Sequence, residues 1–214
     1  MSKAEFIRHN TTVMCPPLVP EIRLHLAHEA VPLWQKTEEE LGEMGLPPPF
    51  WAFAWAGGQA LARYVIDHAD AVKNRRVLDL ATGSGLVAIA AAQAGASHIV
   101  AADIDAFAVT AAQMNADINH VTLDIQLRDL LALPPPDVEV ILVGDLFYEK
   151  SLASLCLAWL QRAQTRGTGV FIGDPGRSYL PQDQLKKLAE YNVPVTRDLE
   201  DAEIKKTAVW RLRA

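Results

Sequence analysis

The sequence has little cysteine and no clustering of histidine. Its two cysteines, Cys15 and Cys156, are too few for a disulfide framework, and neither lies at a spacing typical of metal ligands. The six histidines are scattered along the chain, and none pairs with a second ligand at helical spacing. We therefore expect two reduced thiols and no metal site.

Long apolar runs and basic stripes are also missing. No segment approaches the roughly 18 uninterrupted apolar residues of a membrane-spanning helix, and the charged first residues lack the apolar stretch of a secretion signal. Acidic residues outnumber basic ones, 26 against 20, for a formal net charge of −6. We therefore expect a cytoplasmic protein with no membrane or nucleic-acid partner. The acidic surface suits a basic or lysine-bearing partner, although solubility explains it equally well.

The length of 214 residues fits one α/β domain, which we expect to be monomeric. Residues 1–49 read as an N-terminal extension that packs on the core or covers it as a lid. The domain itself is predicted to span residues 50–214. Within the extension we predict a short helix around residues 21–29 and a charged turn at residues 37–43. A proline run closes the extension.

The most informative segment runs from Arg75 to Asp105 and predicts a strand, a turn, a helix and a second strand. Gly83 and Gly85 in the turn let a ligand approach the backbone, and the N-terminus of the following helix presents free N–H groups. Asp103 ends the second strand, where a carboxylate can accept hydrogen bonds from both hydroxyls of a ribose. The segment therefore predicts an adenosine-containing ligand.

Two cofactors fit this arrangement. The run from Gly83 to Ala88 satisfies the dinucleotide fingerprint G-x-G-x-x-G/A, which would indicate NAD. Asp79, however, places a carboxylate at the exit of the first strand. That charge would repel a pyrophosphate and attract the ammonium and sulfonium groups of S-adenosyl-L-methionine (SAM). We therefore favour SAM over NAD.

The rest of the chain alternates between strand and helix patterns, which predicts parallel strands with right-handed crossovers. The last two segments instead predict an antiparallel hairpin. Such a mostly parallel sheet fits the methyltransferase strand order 3-2-1-4-5-7-6, whereas a dinucleotide fold would need a second mononucleotide half. The predicted strands are 76–80, 98–102, 123–127, 138–144, 168–172, 193–197 and 204–212, and the predicted helices are 84–94, 106–117, 150–164 and 182–191, with an earlier helix from Gly57-Gly58 to about Asp67.

Aspartates also follow the third and fourth strands of the predicted sheet. Because ligands of open α/β sheets bind outside the carboxyl ends of the strands, we expect Asp129 to bind the adenine amino group, although it could equally be a turn residue. Asp105 reads as the N-cap of the next helix. Trp55 either forms a wall of the cofactor site or packs in the core, whereas for Trp51 we favour packing.

The fourth strand is followed by an acid and two aromatic residues, Asp145, Phe147 and Tyr148. A lysine nucleophile has an ordinary pKa near 10.4 and must be neutral to react. Partial desolvation would lower that pKa, and Asp145 could accept a hydrogen bond that orients the amine. An aromatic wall would tolerate a methylated ammonium through cation–π attraction. The alternative is that Asp145 caps the next helix while both aromatics pack in the core.

Five segments together carry a family resemblance: PPPFWAFAWAGGQALARYVID, VLDLATGSG, AADID, GDLFYEK and GDPGR. They resemble the lysine methyltransferases that act on the beta subunit of electron transfer flavoprotein, which belong to the seven-strand SAM-dependent protein methyltransferases. The resemblance covers nearly the whole chain. One departure is Ala81, which replaces the usual first glycine of motif I. A second is the lack of a transit peptide, which suggests a bacterial-type cytoplasmic protein.

The resemblance implies a single Rossmann-like methyltransferase domain and a protein substrate. It implies that SAM is bound by Asp79, Gly83, Gly85 and Asp103 and that Trp55 lies against it. The segment from Asp145 to Tyr148 would face the target lysine. Methylation would proceed up to trimethyllysine in the partner-docking loop of the flavoprotein.

Other functions stay open at this point. The target could be another protein lysine, such as one of a ribosomal protein. The enzyme could instead methylate nitrogen or oxygen of a small molecule, with the N-terminal extension as a lid. A non-catalytic SAM-binding module is disfavoured because both the cofactor acids and the acceptor acid are present.

Overall fold

The computed structural model describes residues 2–27, 48–195 and 203–213. In these ranges the α-helices are α1 (Lys3–Asn10), α2 (Ala56–Asp67), α3 (Leu86–Gln93), α4 (Ala106–Ile118) and α5 (Lys150–Gln164). The strands are β1 (Thr12–Met14), β2 (Leu24–Leu26), β3 (Arg76–Leu80), β4 (His98–Asp103), β5 (Asp124–Leu127), β6 (Val140–Gly144), β7 (Gly169–Asp174), β8 (Leu185–Pro194) and β9 (Ile204–Leu212).

A seven-stranded sheet forms the centre of the fold, in the order β5-β4-β3-β6-β7-β9-β8. The first five of these strands are parallel, and β9 pairs antiparallel with both β7 and β8. Counted within this sheet alone, the order corresponds to the predicted 3-2-1-4-5-7-6. A separate ribbon of β1 and β2 precedes the sheet and shifts the numbering along the whole chain. The predicted α/β class and the closing hairpin are confirmed.

The apolar residues of the central strands are buried on both faces of the sheet, as expected for parallel strands covered by helices. In β6, Val140 and Leu142 belong to the core that contains α2 and α3. Ile141 and Val143 belong to the core on the other face, which contains α5. At the edge of the sheet, no residue of β5 is fully buried. This layering places the carboxyl ends of β3, β4, β6 and β7 along one rim.

The predicted helix at residues 182–191 is wrong. Most of this segment is strand β8, which pairs with β9 from Leu185 opposite Leu212 to Pro194 opposite Ile204. The register shifts between Lys187 and Ala189, so the apolar residues do not keep a strict alternation. Because of this irregularity the local pattern resembles a helix, and the long-range pairing overrides it. Of the predicted strand at 193–197, residues 196–197 lie outside the described residues.

The predicted helix at residues 21–29 is also wrong over its described part. Residues Leu24–Leu26 form β2, which pairs antiparallel with β1. The backbone N–H of His25 donates to Oδ1 of Asn115 on α4, at 2.8 Å, and Leu24 is fully buried. The ribbon thus packs on the domain through a partner about 90 residues away in sequence. The charged turn predicted at 37–43 lies outside the described residues.

Across residues 2–27, 48–195 and 203–213, no helix is both long enough and apolar enough to cross a membrane. In the same ranges no three potential metal-ligating side chains of histidine, cysteine, aspartate or glutamate come together. The thiol of Cys156 is buried, which raises its pKa to about 12, and Cys15 is exposed.

Candidate active site

The turn between β3 and α3 contains two glycines that have different structural roles. Gly83 and Gly85 adopt φ angles of 53° and 81°, in the left-handed region that favours glycine. A Cβ added at Gly85 would lie 3.1 Å from the Cβ of Ala112, so this glycine allows α4 to pack closely. A Cβ added at Gly83 would meet no atom of the described residues within 4 Å. The backbone at Gly83 is therefore open to a ligand.

The side chain of Asp103 lies against this open turn. Its Oδ2 accepts a hydrogen bond from the backbone N–H of Gly83 at 2.9 Å, and its Oδ1 accepts one from Asp105 at 3.0 Å. Burial raises the pKa of Asp103 above its ordinary value. Each carboxylate oxygen can accept a second hydrogen bond. The geometry therefore leaves Asp103 able to accept hydrogen bonds from ribose hydroxyls beside Gly83.

Asp79 lies beneath the turn rather than at its surface. Its Oδ2 accepts hydrogen bonds from the hydroxyl of Thr82 and from the backbone N–H of Ala88 in the first turn of α3. The residue is 2% exposed, and burial raises its pKa to about 7. Asp79 thus shapes the turn and the start of α3, and its binding of the methionine end of SAM stays a prediction.

Two further aspartates on this side of the sheet make local hydrogen bonds. Asp105 caps α4 by accepting a hydrogen bond from Phe107 at 2.8 Å, as predicted. Asp129 is exposed, and its Oδ1 accepts hydrogen bonds from Leu131 and Ala132 at 3.0 and 3.3 Å. This is the geometry of a turn residue. The adenine contact of Asp129 stays a prediction.

Asp145, directly after β6, is held by two elements that are distant in sequence. Its Oδ2 accepts a hydrogen bond from the backbone N–H of Gly58, at the N-terminus of α2, at 2.8 Å. Its Oδ1 accepts hydrogen bonds from Nη2 and Nε of Arg177 at 2.8 and 3.2 Å. The alternative that Asp145 caps the next helix is wrong, because Glu149 caps α5. Asp145 instead lies at the N-terminus of α2, where an anion is favourable.

Three glycines allow α2 to come this close to the sheet. A Cβ added at Gly57 would collide with the carbonyl oxygen of Gly173, and one at Gly173 would collide with that of Gly57. A Cβ at Gly144 would lie 3.1 Å from Cα of Gly58. The backbones are therefore in direct contact, which brings the N–H of Gly58 within reach of Asp145.

Three aromatic residues, Phe50, Trp55 and Tyr148, form what we call the aromatic wall. The ring centroid of Phe50 lies 5.9 Å from that of Trp55 and 5.7 Å from that of Tyr148. The indole of Trp55 donates a hydrogen bond to the carbonyl of Phe50 at 2.8 Å, which fixes its orientation. Tyr148 is 46% exposed, whereas Phe147 is fully buried in the core. The wall therefore lines the rim next to Asp145.

The packing role predicted for Trp51 is confirmed. Its ring stacks on that of Phe107, 6.0 Å away, and the residue is 2% exposed. Ile7 of α1 packs in the same cluster. The N-terminal helix is thus attached to the domain near the aromatic wall.

Asp174 and Arg177 lie in the GDPGR segment that carries part of the family resemblance, but the sequence analysis assigns neither of them a role. Asp174 ends β7 and is 1% exposed, and burial raises its pKa to about 7. Its Oδ1 accepts hydrogen bonds from the backbone N–H groups of Gly176 and Arg177, both at 2.7 Å. A signal for Asp174 is present in the sequence, because an acid at a strand end is what indicates the other four aspartates. The strand predicted at 168–172, however, ends two residues before Asp174.

The chain is similar in sequence to known methyltransferases. The family model described as ribosomal protein L11 methyltransferase (PrmA) matches residues 59–144. The electron transfer flavoprotein beta subunit lysine methyltransferase of Xenopus laevis is 38% identical, over 96% of this chain and 85% of that protein. The human protein of the same name is 35% identical over 96% and 80%. The Caenorhabditis elegans homolog is 32% identical over 89% and 88%.

Solved structures support the fold. The magnesium protoporphyrin IX methyltransferase of Synechocystis PCC 6803 with bound SAM matches with a TM-score of 0.52 and 14% identity, over 73% of this chain and 78% of that one. TrmN from Thermus thermophilus matches with a TM-score of 0.54 and 22% identity, over 71% and 48%. At these identities the likeness concerns the fold alone.

Proposed function

Because the chain belongs to the family of electron transfer flavoprotein beta subunit lysine methyltransferases, we propose that it methylates lysines of that flavoprotein subunit, up to trimethyllysine. The enzyme class itself, SAM-dependent protein-lysine methyltransferase, follows from the family and the fold. The flavoprotein subunit as substrate rests on the names of the relatives.

The observation that carries the proposal is the position of Asp145. Its side chain is only 10% exposed, and it pairs with Arg177, whose guanidinium carbon lies 5.5 Å from the ring centroid of Trp55 in the aromatic wall. Asp145 follows β6, so it lies on the same rim as Gly83 and Asp103. An acid next to aromatic rings suits an amine that gains methyl groups, because hydrogen bonding orients the amine and the rings attract methylated ammonium. A hydroxyl or carbon acceptor would not need this pair of features.

The residues of the β3–α3 turn fit SAM. The open backbone at Gly83 provides room for a ligand, and Asp103 supplies carboxylate oxygens next to it. We infer that these two residues, with Asp79, Gly85, Asp129 and Trp55, hold the cofactor. When bound, SAM supplies a methyl group to the amine lone pair, the electron pair of the broken C–S bond stays on sulfur, and S-adenosylhomocysteine (SAH) leaves.

On the acceptor side, the residues of the chain orient the amine and exclude water. Oδ1 of Asp145 already accepts two hydrogen bonds from Arg177 and Oδ2 accepts one from Gly58, so a hydrogen bond from the substrate amine would go to Oδ2. Tyr148 contributes a half-exposed ring at the entrance. The proton that the ammonium must lose before each transfer goes to water. We assign Asp145 and Tyr148 as catalytic residues on this basis.

A second candidate substrate is a ribosomal protein. It is supported by the match of residues 59–144 to the ribosomal protein L11 methyltransferase model. That match leaves out the turn at Asp174 and Arg177, however.

We further infer that the protein is a cytoplasmic monomer that binds neither nucleic acid nor a membrane. We also infer that it consists of an N-terminal extension, residues 1–49, and a methyltransferase domain, residues 50–214.

The experiment that tests the proposal compares three substrates. The purified chain is incubated with isotope-labelled SAM and, in turn, electron transfer flavoprotein, ribosomal protein L11 and whole-cell extract, and the labelled lysines are located by peptide mass spectrometry. We expect label on the flavoprotein beta subunit, and none with an Asp103→Ala variant. Label confined to ribosomal protein L11 or to small molecules would contradict the proposed substrate.

A further inference from the structure

The turn that follows β7 directs one cationic side chain at the acceptor site. Asp174 accepts hydrogen bonds from the backbone N–H groups of Gly176 and Arg177, both at 2.7 Å. Gly176 adopts a φ of 90°, which reverses the chain direction. The buried carboxylate therefore fixes the backbone of Arg177, so that its side chain points back towards the end of β6.

The guanidinium of Arg177 contacts two groups of the proposed acceptor site. Its Nη2 and Nε both donate to Oδ1 of Asp145, at 2.8 and 3.2 Å. Its central carbon also lies 5.5 Å from the ring centroid of Trp55. The side chains of Arg177 and Asp145 are only 19% and 10% exposed, so solvent screens their interaction less than that of a surface pair.

We propose that Arg177 is a positioning residue that selects the neutral form of the substrate amine. It neutralises Asp145, so that the amine meets a carboxylate already paired with a guanidinium rather than a bare negative charge. The inference rests on the proposed function, because it assigns a role at the acceptor site of lysine methylation.

The physical argument concerns the protonation of the substrate lysine. An opposite charge within hydrogen-bonding distance favours the charged form of a group, whereas a like charge disfavours it. A bare Asp145 would therefore stabilise the ammonium, which has no lone pair for the methyl carbon. The guanidinium of Arg177 counteracts this by repelling the ammonium, while Asp145 still accepts a hydrogen bond from the neutral amine. The displaced proton goes to water.

Repeated methylation makes the same demand at each round. A monomethyl or dimethyl lysine product is again an ammonium and must lose its proton to water before the next transfer. A charge that is built into the fold acts in every round without being consumed. Arg177 therefore suits an enzyme that adds several methyl groups to one nitrogen.

Other charged and titratable groups lie around the pair within the described parts of the chain. Asp174 lies close enough that the charge of Asp145 contributes to its raised pKa. Tyr148 and Glu149 follow β6. Burial raises the pKa of Tyr148, and the charges of Glu149 and of Asp103 on β4 raise it further. The first turn of α2 presents backbone N–H groups. These acids would add to the stabilisation of the substrate ammonium, and the cation of Arg177 opposes that effect.

The first arm of the test needs no protein substrate. The probe is n-butylamine, an analogue of the lysine side chain, added near pH 7 to protein loaded with SAH and followed through the indole N–H resonance of Trp55. Arg177→Gln should bind the butylammonium ion about tenfold more tightly than the wild type, because the guanidinium no longer offsets the charge of Asp145. Arg177→Lys keeps the cation and should bind like the wild type. Equal affinity of all three proteins would overturn the proposal.

The second arm measures single-turnover methylation from about pH 6 to about pH 10, below and above the transition region of a perturbed lysine. For Arg177→Gln we expect the pH midpoint of the rate to rise by about one unit or more, with recovery at high pH. Arg177→Lys should restore the wild-type midpoint. If the pH midpoint of the rate in Arg177→Gln equals that of the wild type, or if Arg177→Lys shifts it as much as Arg177→Gln does, Arg177 does not have the proposed role.

Controls separate this role from simple structural damage. SAH affinity should stay close to the wild type in both Arg177 variants, because neither residue replacement touches the turn at Gly83. Arg177→Lys should also keep a melting temperature close to the wild type, whereas Arg177→Gln should melt lower because Asp145 loses its guanidinium partner. Arg76→Gln is a matched control, since Arg76 also pairs with carboxylates, Asp137 and Glu139, but at the opposite end of the strands. Arg76→Gln should change neither the affinity for butylamine nor the pH midpoint of the methylation rate. A wild type that methylates no flavoprotein lysine would refute the proposed substrate, while the butylamine arm still decides the role of Arg177.

Discussion

Oδ2 of Asp145 lies 2.8 Å from the backbone nitrogen of Gly58, a residue 87 positions earlier in the chain. This hydrogen bond joins the end of the fourth strand of the sheet to the N-terminus of α2. The preceding residue of α2 is in backbone contact with Gly173 on β7. The acceptor acid, the aromatic wall and the helix that Trp55 precedes are thus one connected unit.

The glycines of this unit should not be interchangeable. In Gly57→Ala the new Cβ would collide with the carbonyl of Gly173 and with the carboxylate of Asp145. We expect a loss of at least about 2 kcal/mol in the free energy of unfolding, as for overpacked cores. In the control Gly58→Ala the Cβ meets no described atom within 4 Å, so the better helix propensity should stabilise the protein by about 0.5 to 1 kcal/mol. Urea unfolding measures the free energy of unfolding of both variants, and equal effects would refute the close contact between Gly57 and Gly173.

Ala81 should be a strained position that glycine relieves. It adopts a φ of 55°, which is unfavourable by about 1 to 2 kcal/mol for a residue with a Cβ. Glycine loses about 0.5 to 1 kcal/mol more in conformational entropy, so Ala81→Gly should stabilise the protein by about 0.5 to 1 kcal/mol. The control Ala90→Gly, inside α3, should destabilise it by about 1 kcal/mol. Denaturant unfolding measures the free energy of unfolding of both variants, and destabilisation by Ala81→Gly would contradict backbone strain at Ala81.

Stability without cofactor should fall as the pH rises from about 5 to about 8. Burial raises the pKa of Asp79 and of Asp174 to about 7, above the ordinary 3.8 of aspartate. In this window the folded state binds more protons than the unfolded state, so raising the pH destabilises it. Asp79→Asn cannot titrate and should weaken the dependence by on the order of 1 kcal/mol. Melting curves across the window measure this, and a slope unchanged in Asp79→Asn would be inconsistent with the raised pKa.

Replacing Asp103 should weaken cofactor binding, whereas replacing the nearby Asp105 should lower stability. Asp103→Ala removes the proposed acceptor of the ribose hydroxyls and should weaken SAH binding by about 2 to 4 kcal/mol. Asp105→Ala removes the cap of α4 and should lower stability by about 1 kcal/mol, with SAH affinity within about threefold of the wild type. Calorimetry and thermal melting on both variants separate the roles. An Asp103→Ala protein that binds SAH like the wild type would remove the ribose assignment.

The central strands could be predicted from the sequence because each is a short buried apolar run. Residues 77–80, apart from Asp79, and residues 140–143 have this pattern, and their order follows from right-handed crossovers. Strand β8 could not be predicted in the same way, because its structure depends on pairing with β9 across a register shift. The ribbon strand β2 likewise depends on Asn115, far along the chain.

At the site, the positions of the acids could be predicted and their partners could not. Asp103 and Asp145 are predicted by the rule that ligands bind at the carboxyl ends of strands. No local pattern indicates that Gly58 donates to Asp145, or that Arg177 does so from 32 residues further on. These contacts arise only when the glycines of α2, β6 and β7 bring three backbones together.

The central claim is that Asp145 acts on the acceptor amine rather than on the fold or the cofactor. The most direct test is the single-turnover rate of flavoprotein lysine methylation by Asp145→Asn, measured with melting temperature and SAH affinity on the same sample. The single oxygen of asparagine can still accept the hydrogen bond from Gly58, while the hydrogen bonds from Arg177 are lost, and the melting temperature shows whether the variant folds. We predict SAH affinity close to the wild type and a rate lower by about a hundredfold or more, as for the loss of a positioning group. A folded Asp145→Asn protein with a near wild-type single-turnover rate would contradict the account.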